Sequence, residues 1–590
     1  MRPPFLSLAP AALLFSLHLS APLAAGAAPP PKVDLKPCQV PGLAQEARCG
    51  TLEVYENRVA QSGRKIGISF VVVPATGTTH ATEAIFNFAG GPGGAAIQEI
   101  GGLIQAFATL RETRDLVAVD VRGTGRSAPL DCKQLYGKDV VQSFLDEFMP
   151  ARGTAACRKE LERDHDLRFY TTPLAIDDVD DVRAALGYEK IDLVGGSYGT
   201  RAGLVYLQRH APHVRAAVLE GLVPTRDRSP LTFARDAQAS LDKVFAACAA
   251  EPQCHAAFPD PAADLAQAFQ RVEKAPVEVQ LKDSETGNPV TLRFGRAGLA
   301  QTVRYMLYSP TTHLLLPLYL HEAARGSFQP LGRMAQTWGG LATSLSDGFF
   351  LSVTCAEDVP FYTPEEAEAA ARGTFLGDFR ARAQKAACAE WPRGALPPGY
   401  GEPVRSNVPV LLFSGERDPV TPAVFGAEVA RALPNSLHLV VPAGAHGSDG
   451  LEGGGDCLER LALEVIRNAR VKGLDTSCVA KLHAPPFQTE LANETEVEVP
   501  EAELAKLTGS YAATGGQLQL NVRLADGRLK LELPGRPPFV LTAVGPLRFK
   551  IEGAPPGFFM TFAPKGSGGM AAALEEGSST TSEQLERKPQ

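Results

Sequence analysis

The chain has 590 residues, 44% of them hydrophobic and 21% charged, with a formal net charge of −8 at pH 7. That length exceeds what one core organises, so roughly two to four folding units are expected, in a composition ordinary for a globular protein. The acidic balance excludes the basic footprint of a nucleic-acid binder and offers no polybasic surface to an anionic membrane.

Met1-Arg2 leads into an apolar stretch from Phe5 to Leu19, interrupted by Pro10, and then into small residues ending at Ala25-Gly26-Ala27. A positive start, a short apolar segment and an Ala-x-Ala site read as a cleavable export signal over 1–27. The expected location is therefore secreted or periplasmic, with no membrane span once the signal is removed. Ten cysteines lie beyond it: Cys38, Cys49, Cys132, Cys157, Cys248, Cys254, Cys355, Cys388, Cys457 and Cys478. An even number fits disulfides in an oxidising compartment. Taken in order they form five local pairs, although sequence leaves the connectivity open. Zinc is the rival reading, but Cys-x-x-Cys does not occur and histidine is sparse around them.

Along the chain, the stretches from Thr51 to Tyr55 and from Ile66 to Pro74 are β-like. The run from Ala84 to Phe88 ends in Gly90-Gly91-Pro92-Gly93-Gly94, and the run from Asp115 to Asp120 ends in Arg122-Gly123-Thr124-Gly125. A third, from Ile191 to Val194, enters Gly195-Gly196-Ser197-Tyr198-Gly199, and Ala216 to Leu219 makes a fourth. Short apolar runs stopping at glycine, with amphipathic stretches such as Thr172 to Leu186 between them, are how buried parallel strands read. The fold class expected is α/β, with the first half of a mostly parallel sheet over 35–229. From 230 to 404 the chain turns Ala-rich and helical in period, and the strand pattern resumes over 405–485 at Val408 to Phe413 and Leu437 to Val441. An insertion on the loop-bearing face of one sheet predicts a mainly helical cap. Leu518, Leu520, Val522 and Leu524 alternate with polar residues, turn at Asp526-Gly527 and alternate again through Leu529, Leu531 and Leu533. This is a hairpin pattern, and it predicts a small β domain over 499–565. The Gly-, Ser-, Glu- and Thr-rich stretch 566–590 reads as a low-complexity tail.

A serine hydroxyl is a poor nucleophile until a base takes its proton and a tight turn exposes its oxygen. Gly-x-Ser-x-Gly between a strand and a helix supplies that turn, which makes Ser197 the candidate nucleophile. The backbone N–H of Tyr198 and one from the earlier glycine loop, Gly91, are the candidate oxyanion donors. The base is expected late in the chain, and His446 in Ala443-Gly444-Ala445-His446-Gly447 follows a strand; His438 falls inside that strand and His483 in a linker. Asp418, just past the run from Val408 to Phe413, is the candidate acid, with Glu220 its rival.

Gly90-Gly91-Pro92-Gly93, Asp120-Val121-Arg122-Gly123-Thr124-Gly125-Arg126-Ser127 and the Ser197 pentapeptide resemble the proline iminopeptidase and tripeptidyl aminopeptidase family of α/β-hydrolases. Cys49-Gly50-Thr51-Leu52-Glu53-Val54 and the late Cys457 and Cys478 resemble its secreted tripeptidyl-aminopeptidase-like branch. Ala89 stands where iminopeptidases usually carry His, so strict proline specificity is not implied. The resemblance implies an α/β-hydrolase fold and removal of residues from a free peptide N-terminus without metal or organic cofactor. Such a substrate brings an ammonium that anions in the cap should meet, and Glu357 and Asp358 are the candidates. The expected partner is a peptide or small ester. A carboxylesterase or lipase would use the same three residues, and a binding protein with an inert core is a third reading. Oligomeric state is left open.

Overall fold

Strands β1 (Lys36–Cys38), β2 (Ala47–Tyr55), β3 (Lys65–Val73), β4 (Glu83–Phe88), β5 (Asp115–Val119), β6 (Lys190–Gly196) and β7 (Val214–Glu220) come first in the computed structural model. The hairpin β8 (Val277–Lys282) and β9 (Pro289–Phe294) follows, then β10 (Val410–Gly415) and β11 (Ser436–Val441). The structure describes residues 33–40, 46–77, 82–132, 135, 140–146, 148–342, 345–513, 519–533, 538–565, 569–576 and 583–588. The export signal expected at 1–27 lies outside them.

All these strands except the β8–β9 hairpin form one sheet in the order β1-β2-β3-β5-β4-β6-β7-β10-β11. From β5 to β11 the neighbours are parallel, and β1, β2 and β3 add an antiparallel edge. β10 is buried along its whole length, as a strand covered on both faces must be. One face packs on Ile176, Val179 and Val182 of the helix Thr172–Leu186 and on Leu204, Val205 and Leu207 of the helix Tyr198–His210. The other packs on Leu103 and Ile104 and on Leu461, Val465 and Ile466 of the helix Cys457–Asn468. The result is a three-layer α/β-hydrolase fold.

Register brings the functional loops together. Phe88 of β4 pairs with Gly195 of β6, Gly196 with Glu220 of β7, Glu220 with Phe413 of β10, and Gly415 with Val441 of β11. These parallel strands therefore end on one line, and the loops that follow open on one face, where α/β sheets place their ligands.

The insertion between β7 and β10 is the cap. It carries helices from Phe233–Ala250 to Phe379–Ala389 and the β8–β9 hairpin, and it has its own core around Leu241, Phe294, Leu299, Met306, Leu316 and Leu331. The helix Val140–Asp146 belongs to that core through Leu145, although it lies between β5 and β6. The sequence boundary at 230 placed it with the sheet. An amphipathic helix reads alike whichever core it packs on, so nothing local marks the difference. All ten cysteines are bridged: Cys38–Cys49, Cys132–Cys157, Cys248–Cys254, Cys355–Cys388 and Cys457–Cys478.

The C-terminal unit is a closed barrel of β12 (Gly509–Ala513), β13 (Gln519–Ala525), β14 (Arg528–Glu532), β15 (Phe539–Gly545), β16 (Arg548–Ile551), β17 (Phe558–Pro564), β18 (Met570–Glu576) and β19 (Glu583–Arg587). This corrects the reading of 566–590 as a tail. β18 pairs with β17 and β19, and β19 pairs with β12 to close the barrel. The inward face of these strands is carried by Met570, Ala572, Leu574 and Leu585, and the alanines on either side of Ala572 leave no hydrophobic–polar alternation to read. The barrel docks on the cap. Arg333 donates to the carbonyls of Ile551, Ala554 and Pro555 and pairs with Glu494, while Val540 N donates to Ser284 O at 2.8 Å. Among the described residues no helix is long and apolar enough to cross a membrane.

Candidate active site

Ser197 sits between β6 and the helix Tyr198–His210 at φ 56°, ψ −124°. A non-glycine residue held there stores on the order of 1–3 kcal/mol of strain. The turn is fixed from both sides: Ser197 N donates to Glu220 O at 2.9 Å, and Ser197 O accepts from Thr200 N at 2.9 Å and Thr200 Oγ1 at 2.6 Å. A Cβ on Gly195 would come within 2.6 Å of Gly199 O, and one on Gly199 would run into the Phe88 carbonyl. The flanking glycines are thus imposed by close backbone approach.

The loop after β4 lies against the turn. A Cβ at Gly90 would sit 3.6 Å from Ser197 Cβ, and Gly91 adopts φ 123°. Tyr198 is the first residue of its helix, a position whose N–H has no partner within the helix. The two expected oxyanion donors therefore belong to segments that meet beside Ser197.

Asp418 and His446 come from the loops after β10 and β11. His446 Nδ1 lies 3.0 Å from Asp418 Oδ2 and 3.2 Å from Oδ1. Asp418 is buried and also accepts from Val420 N and Thr421 N, each at 2.8 Å, and from Thr421 Oγ1 at 2.5 Å. Burial pushes its carboxyl up, but the His446 charge and these hydrogen bonds outweigh it and hold the carboxyl below the ordinary value. Burial likewise disfavours the His446 imidazolium, yet Asp418 prevails and raises its pKa. Gly221, next to the residue that anchors Ser197 N, is where the ring approaches the nucleophile turn: a Cβ there would lie 3.4 Å from His446 Cε1. Glu220 instead accepts from Ser448 Oγ at 3.0 Å, and burial raises its pKa. Of the two acids considered, Asp418 is the one bonded to the imidazole.

The cap closes over this group through Tyr308. Its ring packs edge-on against His446 at 5.1 Å, and its carbonyl accepts from His446 N at 3.0 Å. Glu357 and Asp358 lie near the base of the cap, both 2% exposed and both engaged. Glu357 accepts from Thr172 N, Thr172 Oγ1 and Tyr400 Oη. Asp358 takes a two-pronged bond from Arg201 at 2.7 and 3.1 Å, while Asp227 and Glu357 each lie 3.7 Å from the same guanidinium. Three carboxylates thus share one cation. Burial, opposed by Arg201, pushes Asp358 up to about 7 and raises Glu357. Thr172 Oγ1 also meets Tyr198 Oη at 2.8 Å, so this network reaches the residue after Ser197. A substrate ammonium would meet these acids only by displacing bonds they already make.

Thr421, Gly221, Tyr308 and Arg201 had no place among the sequence candidates. Thr421 lies three residues past Asp418 and could have been found as a local acceptor–donor turn; the others are brought in by tertiary packing alone. One His/Asp group among the described residues has metal-like proximity, Asp180 with His210 and His213. Asp180 there already accepts from Arg183, Tyr206 and His213.

A mixed, mostly parallel sheet with a serine turn, an imidazole and a buried carboxylate at its strand ends defines a hydrolase of the α/β class. The alpha/beta hydrolase fold family matches residues 83–448, and the chain belongs to it. Tripeptidyl aminopeptidase of Streptomyces lividans is 24% identical over 510 residues, covering 79% of this chain and 90% of that protein. Serine protease Hip1 of Mycobacterium tuberculosis is 25% identical over 429 residues, covering 66% and 80%. Carboxylesterase B of the same species is 29% identical over 428 residues, covering 66% and 78%. Among solved structures, proline iminopeptidase of Mycobacterium smegmatis aligns at TM-score 0.33 and 15% identity over 71% of this chain and 98% of that one.

Proposed function

We propose that the protein is an exported serine aminopeptidase that releases single residues or short peptides from free peptide N-termini. The observation that carries the serine chemistry is the His446–Asp418 pair beside the Ser197 turn. The likeness to tripeptidyl aminopeptidase over most of the chain supports peptide as the substrate, and the five disulfides support an oxidising compartment.

In this reading Ser197 Oγ attacks the scissile carbonyl while His446 Nε2 takes its proton. Asp418 holds Nδ1–H and stabilises the imidazolium. The carbonyl oxygen, now an anion, accepts from the Gly91 and Tyr198 amides. Collapse breaks the C–N bond, and His446 returns the proton to the leaving amine. Water, deprotonated by His446, then attacks the acyl carbon, the C–Oγ bond breaks, and His446 returns that proton to Ser197 Oγ. The buried Asp227, Glu357 and Asp358 set a negative potential under the cap that favours a substrate ammonium over an acetylated end.

The likeness to carboxylesterase B keeps ester hydrolysis as a second reading on the same residues. Aminoacyl and tripeptidyl amides with free and acetylated N-termini, assayed beside short-chain esters, separate the two. Amide cleavage that disappears on acetylation supports the exopeptidase; ester turnover with no amide cleavage overturns it.

A further inference from the structure

Arg304, on the cap helix Arg296–Met306, is 1% exposed and makes no ion pair among the described residues. Its guanidinium carbon lies 4.4 Å from the centre of the Phe233 ring, 5.2 Å from that of Tyr308 and 5.4 Å from that of Tyr305. Aromatic rings attract the charge. They do not accept its N–H groups, which lie in the guanidinium plane. Two of these, Nε and Nη2, are buried without a hydrogen-bond partner. They are the adjacent pair that forms the two-pronged fork for a carboxylate. The protein itself demonstrates the fit: Arg122 places the same Nε and Nη2 on Asp178 at 2.6 and 2.9 Å. Gln301, one turn before Arg304, leaves its own Oε1 unpaired, and a neutral amide would not balance the charge.

The position of this fork is functional. Tyr308, which Arg304 approaches, is the residue packed on His446, and the Arg304 charge is felt at the imidazole. Trp338 packs on both Tyr305 and Tyr308, at 5.3 and 5.8 Å, and its indole N–H is also buried without an acceptor. The aromatic group that Tyr308 joins to His446 therefore holds three unpaired donor nitrogens and a whole positive charge. Leaving such groups unpaired is costly unless a ligand supplies the acceptor.

We propose that Arg304 forms a carboxylate-binding subsite, in which the Nε–Nη2 edge receives an anionic group of the substrate near His446. The subsite rests on the serine-hydrolase reading for its role, but not for its existence. The carboxylate has two possible sources, the C-terminus of a short peptide and an acidic side chain. Either would make Arg304 a specificity-determining residue beyond the cluster around Arg201.

Calorimetric titration with hexanoate and with hexanamide tests binding without requiring turnover. The wild-type protein is expected to bind hexanoate about tenfold or more tightly than the amide, because the charged pair is desolvated. Arg304→Gln should reduce the ratio to near unity, and Arg304→Lys, which keeps a point charge without the fork, should retain part of it. Equal affinities in the wild type, or a ratio preserved in Arg304→Gln, overturn the subsite even if the enzyme cleaves peptides. Peptide pairs then separate the sources. A higher kcat/KM for free than for amidated C-termini assigns the terminal carboxylate, and a higher value for Asp than for Asn peptides assigns the side chain. If no peptide is cleaved while hexanoate keeps its advantage, the aminopeptidase reading fails and the subsite stands.

Discussion

His446 Nδ1 shares Asp418 Oδ2 with Thr421 Oγ1, at 3.0 Å from the ring nitrogen and 2.5 Å from the hydroxyl, so two donors fix one buried carboxylate oxygen. The hydroxyl and the two backbone amides of Val420 and Thr421 hold the carboxylate in place, and the carboxylate holds the ring. Glu220 has no such bond to the imidazole and is engaged by Ser448. Asp418→Asn should therefore lower kcat by roughly 10³–10⁴-fold through the wrong tautomer, measured on whichever amide or ester the enzyme turns over. Glu220→Gln should change kcat by less than about tenfold; a larger loss there with an active Asp418→Asn enzyme would reverse the acid assignment.

The same pair sets the pH dependence. His446 must be neutral to accept the Ser197 proton, and its pKa is raised above 6.5, so kcat/KM should rise with pH through a limb above that value. Asp418→Asn removes the largest raising influence and should move the limb of the residual activity to lower pH. For stability the signs are opposite. The raised His446 contributes stability fully present below its unfolded pKa and lost as pH rises through its folded one. The lowered Asp418 contributes stability present above its unfolded pKa and lost as pH falls through its folded one. Urea midpoints of wild type and Asp418→Asn, measured from pH 3 to 9, should differ most between those two limits.

Gly221 connects the nucleophile turn to the base. It has φ 69°, and a Cβ on it would meet Thr421 Oγ1 at 3.1 Å and the His446 ring at 3.4 Å. Gly221→Ala should reduce kcat by up to about 10²-fold, the cost of misplacing a catalytic group by about 1 Å. It should also lower stability by about 1–3 kcal/mol for the strained φ. Steady-state kinetics with a thermal melt separates these effects; an unchanged kcat would show that the ring is not positioned from this side.

The parts legible in the sequence are those whose signal is local. Ser197 announces itself because Gly195 and Gly199 must be glycine where backbones nearly touch, and Asp418 and His446 because each follows a hydrophobic strand on the same edge of the sheet. What could not be read depends on contacts across long stretches of chain. Tyr308, which packs on His446, lies two residues past the helix that carries Arg304, and that helix is, in sequence, an unremarkable amphipathic segment. Arg201 carries no local sign of its role, yet it collects Asp227, Glu357 and Asp358. The acids themselves were visible as a pair beside Cys355, but their burial was not, because charge alone reads as solvent exposure. The last barrel strands failed for the converse reason: alanines flanking Ala572 on both sides erase the alternation that would mark its inward face.

Arg201 is the sole cation within 4 Å of those three carboxylates among the described residues. Arg201→Met keeps the volume and removes the charge, leaving buried acids uncompensated. Stability at pH 8 should fall by about 3–5 kcal/mol. The deficit should shrink as the pH drops. Asp358 already stands at about 7 in the folded protein, above its unfolded value, so it destabilises at high pH and is relieved as it takes a proton. Denaturant unfolding at pH 8 and pH 5 checks this, and an equal deficit at both would mean that packing, not charge, is what Arg201 supplies.

Arg333 makes the corresponding joint between cap and barrel. Its guanidinium, 7% exposed, donates to the carbonyls of Ile551, Ala554 and Pro555 and pairs with Glu494. Charged donors on buried carbonyls contribute about 1.5–3 kcal/mol each, and the contributions are not additive. Arg333→Ala should loosen the docking by about 2–4 kcal/mol without touching either hydrophobic core. Two-domain proteins whose interface weakens lose cooperativity, so calorimetry should resolve a barrel transition from that of the hydrolase unit, and protease should cut first in the connecting stretch before β12. Peptide or ester turnover by the variant, measured below the first transition, then tells whether docking bears on the site. The Arg333 bonds go to Ile551, Ala554, Pro555 and Glu494 and none goes to Tyr308 or His446, so kcat should stay within about threefold of wild type.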